Sequence, residues 1–309
     1  MLKNRIVVKG DLNAYNNIKK ISQGFSMFEI HTENNIITTC TQEEFYSLNR
    51  AAIDSYTDVV TIHSPLIPRE KASGYDCVTL EGAVADKFMY EALRCSFQLA
   101  DIFAKKFKHK VGVNVHIEHD IEDLLALDLI DRIEDMLRKL FKIYPMVDIY
   151  IENVIPIMSD TNGNNIARSG CFNEPAAIAK YFNSVLYGKS GQMRCYSTLD
   201  VCHALVTIRT QMAVGLEPRL SLEEYFEKYA STIKQIHLCN VKNFGYRKGE
   251  HGCTFKDDEE LLDTILTYIE RYCPFADLVL EVYEDDYANP INCKELADMI
   301  ARKHPTVIM

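Results

Sequence analysis

Four side chains that can bind a divalent cation each lie at the end of a separate β-like run, and they are Glu152, Asp200, His237 and Glu281. The runs are VDIYIEN, RCYSTLD, IKQIHL and DLVLEV. Carboxylate oxygens and imidazole nitrogens are ligands for zinc and related cations. When parallel strands close into a barrel, their carboxyl ends meet at one rim, so residues distant in sequence come together. The pattern therefore predicts one metal site, built from four strand ends, in an enzyme.

Further histidines fall where the active face of such a barrel would lie, and they are His63, His116, His203 and His251. His63 and His116 close the runs VVTIH and VGVNVH, and His203 follows Asp200 by three residues. Stability alone does not call for so many ionisable groups at one rim. We therefore expect these four histidines to be additional metal or substrate ligands. His31 and His119 are further candidates for the pocket, whereas His109 and His304 lie in contexts typical of solvated residues.

The order of elements along the chain alternates strand-like and helix-like patterns. The strand candidates are RIVVK, SMFEIH, DVVTIH, VGVNVHIE, VDIYIEN, RCYSTLD, IKQIHL and DLVLEV. The helical patterns between and after them are LNAYNNIKKIS, QEEFYSLNRAAI, EGAVADKFMYEALRCSFQLADIFAKKF, IEDLLALDLIDRIEDMLRKLFKIY, EPAAIAKYFNSVLY, SLEEYFEKYAS, DEELLDTILTYIERY and KELADMIARK. This alternation predicts an α/β protein with a single (β/α)8 TIM barrel over residues 1–309.

Composition narrows the class of protein. The chain has 309 residues, 47% of them hydrophobic and 25% charged, which is typical of a globular protein, and no apolar leader or membrane span is visible, so we expect a cytoplasmic location. Ten cysteines form no CxxC pair, and Cys202 and Cys239 fall in predicted strands, which indicates buried reduced thiols. A net charge of −10 argues against a broad basic surface for nucleic acid.

Two loops at the expected active face are notable. The segment from Pro156 to Pro175 is rich in Asn, Gly and Ser and follows the run that ends near Glu152, so it is either a lid over the site or a plain loop. A small basic run, made of Lys242, Arg247 and Lys248, follows His237 and is either a solvated face or a site for a phosphate or hydroxyl group.

These segments together resemble one superfamily. The segments TIHSP, VNVHIEH, YIENV, LDVCHA, IHLCNVK, EHG and LVLEV, spread from residue 61 to 283, are similar to motifs of the xylose isomerase-like TIM barrels. That superfamily includes sugar and sugar phosphate isomerases and epimerases, and the endonuclease IV type of abasic-site endonuclease (AP endonuclease family 2). The resemblance implies a barrel over the whole chain and a divalent metal, zinc or manganese, at Glu152, Asp200, His237 and Glu281.

The two branches imply different chemistry. In the isomerase and epimerase branch, one metal polarises a sugar carbonyl while two glutamates, here Glu152 and Glu281, move a proton at the adjacent carbon. The endonuclease branch uses three zinc ions. There the resemblance implies a first site at His63, His116 and Glu152. The four-ligand set, sharing Glu152, would be the second site, and His203 and His251 would be part of the third.

Three departures weaken the endonuclease alternative. Gly249, followed by Glu250, stands where that branch has an aspartate, and Asn240 replaces another aspartate. The loop SPLIPRE after His63 lacks the aromatic residue that is inserted into DNA. We therefore expect a sugar or sugar phosphate isomerase or epimerase without a membrane partner. The alternatives are an abasic-site endonuclease, for which DNA is the partner, and a barrel that binds metal and a small ligand without turnover.

Overall fold

The computed structural model describes residues 4–32, 42–68, 75–159, 165–188, 192–243 and 251–304. Eight parallel strands form a closed barrel in the order β1, β14, β11, β10, β7, β6, β3, β2. The barrel strands are β1 (Ile6–Gly10), β2 (Phe28–His31), β3 (Val59–His63), β6 (Val111–His116), β7 (Val147–Glu152), β10 (Cys195–Asp200), β11 (Ile233–Leu238) and β14 (Asp277–Leu280). The predicted (β/α)8 fold is confirmed.

Helices alternate with the barrel strands. They are α1 (Ala14–Ser22), α2 (Gln42–Ser55), α3 (Leu80–Ala85), α4 (Lys87–Phe107), α5 (Ile121–Ala126), α6 (Ile130–Ile143), α7 (Glu174–Tyr187), α8 (Val201–Ala213), α9 (Leu222–Tyr229), α10 (Glu259–Tyr272) and α11 (Ile291–Lys303). No helix in these described ranges is long and apolar enough to cross a membrane.

Two long helical patterns are each divided into two helices. Asp86 has extended backbone angles and its side chain accepts a hydrogen bond from Met89 N, so it ends α3 and caps α4. Between α5 and α6, Asp128 has a φ of 55°, a left-handed conformation that interrupts the helix. The periodicity predicted the helical face of each pattern, but these local caps break it.

The helix α8 was missed in the sequence, because its first seven residues are buried almost all round and show no single apolar stripe. Cys202 lies in the first turn of α8, so its assignment to a strand was wrong. Cys239 follows directly after β11 rather than lying within it. The nine cysteines that the structure describes are free thiols, of which seven are buried and two, Cys77 and Cys253, are partly buried.

Three short antiparallel hairpins follow the carboxyl ends of barrel strands. They are β4 (Leu66–Pro68) with β5 (Tyr75–Cys77), β8 (Ile157–Ser159) with β9 (Asn165–Ala167), and β12 (Asn240–Val241) with β13 (His251–Cys253). The candidate lid, 156–175, thus contains a hairpin and a short 3₁₀ turn at Ser169–Cys171, while residues 160–164 lie outside the described ranges. Whether it closes over the site stays a prediction.

Most apolar side chains pack between the barrel and its surrounding helices in one continuous core. A separate small cluster is formed by Val7, Met27, Val60 and Val279. Buried polar residues are present in the barrel strands as well, including Glu29, Thr61, Asn114, Thr198 and Gln235. Buried polar groups must be hydrogen-bonded to be tolerated. The hydrogen bonds of several of these residues connect them to side chains of the candidate site.

Candidate active site

The four predicted ligands converge at the carboxyl end of the barrel. Glu152 and Asp200 are the last residues of β7 and β10, His237 is the penultimate residue of β11, and Glu281 follows β14. The Nδ1 atom of His237 lies 2.7 Å from Glu281 Oε2, 3.4 Å from Glu152 Oε1 and 3.9 Å from Asp200 Oδ2. One imidazole nitrogen therefore faces three carboxylates, each carried by a different strand.

Local hydrogen bonds fix the two carboxylates that end strands. Asp200 caps α8, because its Oδ1 accepts from His203 N at 2.7 Å, which leaves Oδ2 directed into the site. Asn153, directly after β7, holds the same residue, since its side-chain oxygen accepts from Asp200 N at 2.7 Å and its side-chain nitrogen donates to Asp200 O at 3.0 Å. Glu152 Oε2 accepts a hydrogen bond from Asn114, whose amide oxygen accepts from Thr198 at 2.8 Å.

Three buried atoms at the centre have no hydrogen-bond partner within the described part of the chain, namely Asp200 Oδ2, His237 Nδ1 and Glu281 Oε2. The last two are close enough for an ion pair, but their relative orientation does not make a hydrogen bond. Ligand atoms of Asp200, His237 and Glu281 all lie within 4.8 Å of one another. Buried polar atoms without a partner are costly, and a cation would satisfy the two carboxylate oxygens directly and His237 Nδ1 after loss of its proton. The residues present therefore fit a divalent metal ion.

The surroundings of the His237 ring are compatible with the same fit. Its Nε2 lies 3.2 Å from Glu29 Oε2 and 2.8 Å from the amide nitrogen of Gln235. Burial lowers the pKa of His237, but Glu152 and the neighbouring carboxylates outweigh this and hold it well above 6.5, so a cation at Nδ1 would take the place of a proton. A carboxylate behind a histidine is the usual arrangement that orients a metal-binding imidazole. The amide of Gln235 also donates to Glu29, and Gln235 accepts in turn from Thr61.

Lys9 and Glu29 are site residues that sequence analysis missed. Lys9 Nζ lies 2.5 Å from Glu29 Oε1 and 3.1 Å from Glu281 Oε1, so one ammonium joins the carboxylate behind His237 to a predicted ligand. The signal was present: a lysine in IVVKG and a glutamate in FEIH interrupt otherwise apolar strands. Such charges are rarely buried unless paired. The pairing partners, however, are distant in sequence.

The four additional histidines lie next to the carboxylates of this site. His63 Nε2 and His116 Nε2 lie 3.4 and 3.5 Å from the Glu152 carboxylate. His203 Nδ1 and His251 Nε2 lie 3.6 and 3.9 Å from Asp200 Oδ2. His63 Nδ1 contacts the carbonyl of Ser64 at 2.9 Å, which directs the opposite nitrogen at Glu152. The structure thus brings all eight predicted site residues together, and their roles as ligands stay predictions.

Of the other two candidate histidines, His31 lies near the site and His119 does not contact it. The His31 ring lies 5.0 Å from the His63 ring, at the edge of the cavity, and burial lowers its pKa to about 3, which keeps it neutral. His119 is bonded to Glu81 instead, with Nδ1 3.1 Å from the carboxylate, so it holds the loop after β6. Lys242 is exposed, while Arg247 and Lys248 lie outside the described residues.

The charges of the site depend on one another. Burial raises the pKa values of Glu152 and Glu281, but cationic neighbours more than offset this and hold both well below the usual range. These neighbours are His237 for Glu152 and Lys9 for Glu281. Burial raises the pKa of Asp200 to about 6. Two carboxylates are thus stabilised as anions and the third is a buried acid that a cation would ionise.

Comparison with known proteins supports the architecture. No protein-family model and no curated protein matches the sequence. Among solved structures, a xylose isomerase domain protein from Planctomyces limnophilus superposes with a TM-score of 0.58 at 11% identity, covering 97% of this chain and 98% of that chain. SacUVDE superposes with a TM-score of 0.56 at 11% identity, covering 97% and 99%. The IolI protein, solved with a bound zinc atom, has a TM-score of 0.54 at 11% identity, covering 98% of both chains.

The chain has the fold of the xylose isomerase-like TIM barrels. This confirms, for the fold, the resemblance seen in the sequence motifs. In barrels of this kind the active site lies at the carboxyl ends of the strands. The cluster of Glu152, Asp200, His237 and Glu281 occupies that position here.

Proposed function

We propose that the protein is a divalent-metal-dependent isomerase or epimerase of a sugar or sugar phosphate. The observation that carries the proposal is the placement of two glutamates beside one imidazole nitrogen, with Glu281 Oε2 and Glu152 Oε1 2.7 and 3.4 Å from His237 Nδ1. The three unpartnered atoms at the same point supply the cation site. A bound zinc or manganese ion would polarise the carbonyl group of the substrate.

Glu281 and Glu152 then exchange the proton of the adjacent carbon. The Glu281 side chain is 21% exposed and reachable from the cavity, whereas that of Glu152 is 2% exposed and tied to Asn114. Lys9, 3.1 Å from Glu281, keeps that carboxylate ionised and limits its rotation. A carboxylate placed in this way can accept a proton from one carbon or deliver it to a neighbouring one.

Charge at the rim favours a small substrate over a polyanion. Glu122 and Asp123 in α5, and Asp285 and Asp286 after β14, are exposed at the carboxyl end of the barrel. Four acidic side chains repel the many charges of an extended phosphate backbone. The repulsion is absent for an uncharged sugar and smaller for a single phosphate.

The test is solvent-deuterium incorporation into a panel of free and phosphorylated ketoses by metal-loaded protein. Glu281→Gln should lower the exchange rate by about 10²- to 10⁴-fold, because glutamine can ligate through oxygen but cannot accept a proton. Metal content is measured on the same samples. Asp285→Asn, a carboxylate removed from the same strand-end loop, should exchange at the wild-type rate. Unchanged exchange in a metal-loaded Glu281→Gln protein would overturn the proposal.

The four histidines favour a second candidate, phosphodiester hydrolysis by a metal cluster at abasic DNA sites. His63 and His116 contact Glu152 on one side of the carboxylate set, and His203 and His251 contact Asp200 on the other. Eight ligand residues exceed what one four-coordinate cation needs. A carboxylate shared by neighbouring ions, as Glu152 would be, is suited to clamp an attacking and a leaving oxygen.

Two measurements separate the candidates. Metal-loaded wild-type protein is incubated with a duplex carrying one abasic site, and its metal content is determined. The isomerase proposal expects one ion at the carboxylate set, exchange with a ketose and no nicking. Chelator-sensitive nicking with two or three ions and no deuterium exchange would establish the hydrolase instead.

A further inference from the structure

A cluster of two thiols and an imidazole lies behind Asp200. Cys202 is in the first turn of α8, Cys239 follows β11, and His251 begins β13. Because β13 pairs with β12, with His251 opposite Val241, the chain brings this histidine back beside the end of β11. Sulfur and nitrogen atoms of Cys202, Cys239 and His251 all lie within 4.8 Å of one another.

The geometry is close to that of a metal site. In a tetrahedral zinc site, bonds of about 2.3 Å place two sulfur ligands about 3.8 Å apart, so small side-chain movements suffice here. Of the nine cysteines that the structure describes, Cys202 and Cys239 alone belong to such a three-residue group. The other described cysteines therefore serve as comparisons for the ordinary role of a buried thiol as a small apolar side chain.

Burial supplies a second argument. Cys202 and Cys239 have no exposed surface, whereas the His251 side chain is 34% exposed and opens to the cavity. A cation that displaced the thiol protons of both cysteines would itself compensate the charge of the thiolates that remain buried. Binding of a divalent ion to both thiolates would release the two thiol protons to solvent and give a site with no net charge, to which His251 would supply the third ligand.

We propose that Cys202, Cys239 and His251 form a second metal site, selective for a thiophilic cation such as zinc. This site goes beyond the proposed isomerase activity, which uses the carboxylate set alone. The donors differ in kind: oxygen and imidazole in the catalytic set, and two sulfurs and one imidazole here. His251 Nε2, 3.9 Å from Asp200 Oδ2, lies between the two sets.

Cobalt(II) is the probe, because thiolate ligation gives an intense near-ultraviolet charge-transfer absorption that carboxylate and imidazole ligands do not give. Chelator-treated full-length protein, kept reduced with a phosphine, is titrated with cobalt(II). The absorption should saturate at one equivalent of thiolate-bound ion and disappear when zinc is added. Cys202→Ala and Cys239→Ala should each reduce it strongly, and Cys195→Ala, at a fully buried cysteine in β10, should retain it.

X-ray absorption of the zinc-loaded wild type provides an assay that needs no variant. Sulfur scatterers at about 2.3 Å support the site, and a shell of only nitrogen and oxygen overturns it. Absence of the cobalt–thiolate band in folded, reduced wild-type protein also overturns it, as does a band that persists in both cysteine variants. Deuterium exchange by protein lacking the thiolate band would leave the isomerase proposal standing and remove this one.

Discussion

The amino and carboxyl ends of the barrel differ in how completely their buried charged side chains are bonded to other groups of the protein. At the amino end, Arg5 makes two hydrogen bonds of 2.7 Å to Asp277, and Asp148 is contacted by Lys110 at 2.9 Å and Arg194 at 3.3 Å. The Arg194 guanidinium also donates to the carbonyls of Phe141 and Tyr144, at 3.1 and 2.8 Å. Charges there are paired by the protein itself.

At the carboxyl end, Lys9 pairs with Glu29 and Glu281, yet several polar atoms stay without a hydrogen-bond partner. Asp200 Oδ2, His237 Nδ1 and Glu281 Oε2 are three of the six buried side-chain atoms without a hydrogen-bond partner in the described ranges. They face a common point instead of separate partners. In TIM barrels the amino end contributes to stability and the carboxyl end to function. Here the amino end pairs its charged side chains, whereas three atoms at the carboxyl end lie without a hydrogen-bond partner at the point that we propose for a cation.

The largest expected effect is at the amino end. Arg194→Ala removes a 5% exposed side chain, leaves Asp148 without one of its cations and frees several carbonyls, so we expect unfolding to become easier by about 3–5 kcal/mol. Denaturant unfolding measures it. Arg138→Ala, which removes a half-exposed guanidinium in α6, should cost about 1 kcal/mol or less. If the two variants lost the same free energy of unfolding, the buried ion pairs at the amino end would not have the stabilising role that we assign to them.

At the carboxyl end, removal of a charge should stabilise the metal-free protein. Burial raises the pKa of Asp200 from 3.8 to about 6, so the folded state holds a proton that the unfolded state has lost. The contribution of Asp200 to wild-type stability therefore falls as pH rises through this interval, by about 3 kcal/mol. The Asp200→Asn variant keeps a side-chain oxygen that can cap α8, but it has no carboxyl group that titrates.

In chelator at neutral pH, Asp200→Asn should thus be more stable than wild type, by up to about 3 kcal/mol, and equal to it near pH 4. Saturating zinc should reverse the order, because only wild type retains the full ligand set. Urea unfolding at both pH values, with and without zinc, checks both statements. A less stable variant in chelator at neutral pH would show that Asp200 is already satisfied by the protein.

The sequence predicted which residues meet at the carboxyl end of the barrel better than it predicted the hydrogen-bond network behind them. Glu152, Asp200, His237 and Glu281 were recognisable because each ends or closely follows a strand-like run, and strand ends of a closed barrel must meet. Glu29 and Lys9 were not, because their role depends on contacts made only after closure. Glu29 reaches His237 across 208 positions of sequence, which no local pattern records.

Helix boundaries were predicted less well for a related reason. Apolar periodicity identifies the buried face of a helix, but Asp86 and Asp128 end helices through a cap and a left-handed backbone conformation. In α8 burial on nearly all sides removed the periodic signal, which is why Cys202 was assigned to a strand. The thiol cluster became visible only when α8 and the β12–β13 hairpin were in place.

The smallest effect concerns the half-exposed pair His109 and Asp58 at the amino end, whose Nε2 and Oδ1 atoms are 2.6 Å apart. The hydrogen bond to Asp58 raises the pKa of His109 above 6.5. Burial raises the pKa of Asp58, but the bond from His109 outweighs this and lowers it below 3.8. The histidine contribution is complete below 6.5 and is lost as pH rises through its folded pKa. The aspartate contribution is complete above 3.8 and is lost as pH falls through its folded pKa.

The pair should therefore stabilise the fold most between about pH 4 and 6.5, by no more than about 1 kcal/mol because solvent screens it. His109→Gln, which keeps a hydrogen-bond donor and loses the charge, should show its largest loss of stability in that interval and approach wild type in alkaline solution. His304→Gln, near Glu270 at 3.9 Å, is the matched control and should change little. A loss that is constant with pH would mean that packing of the ring, rather than paired charge, stabilises this end of the barrel.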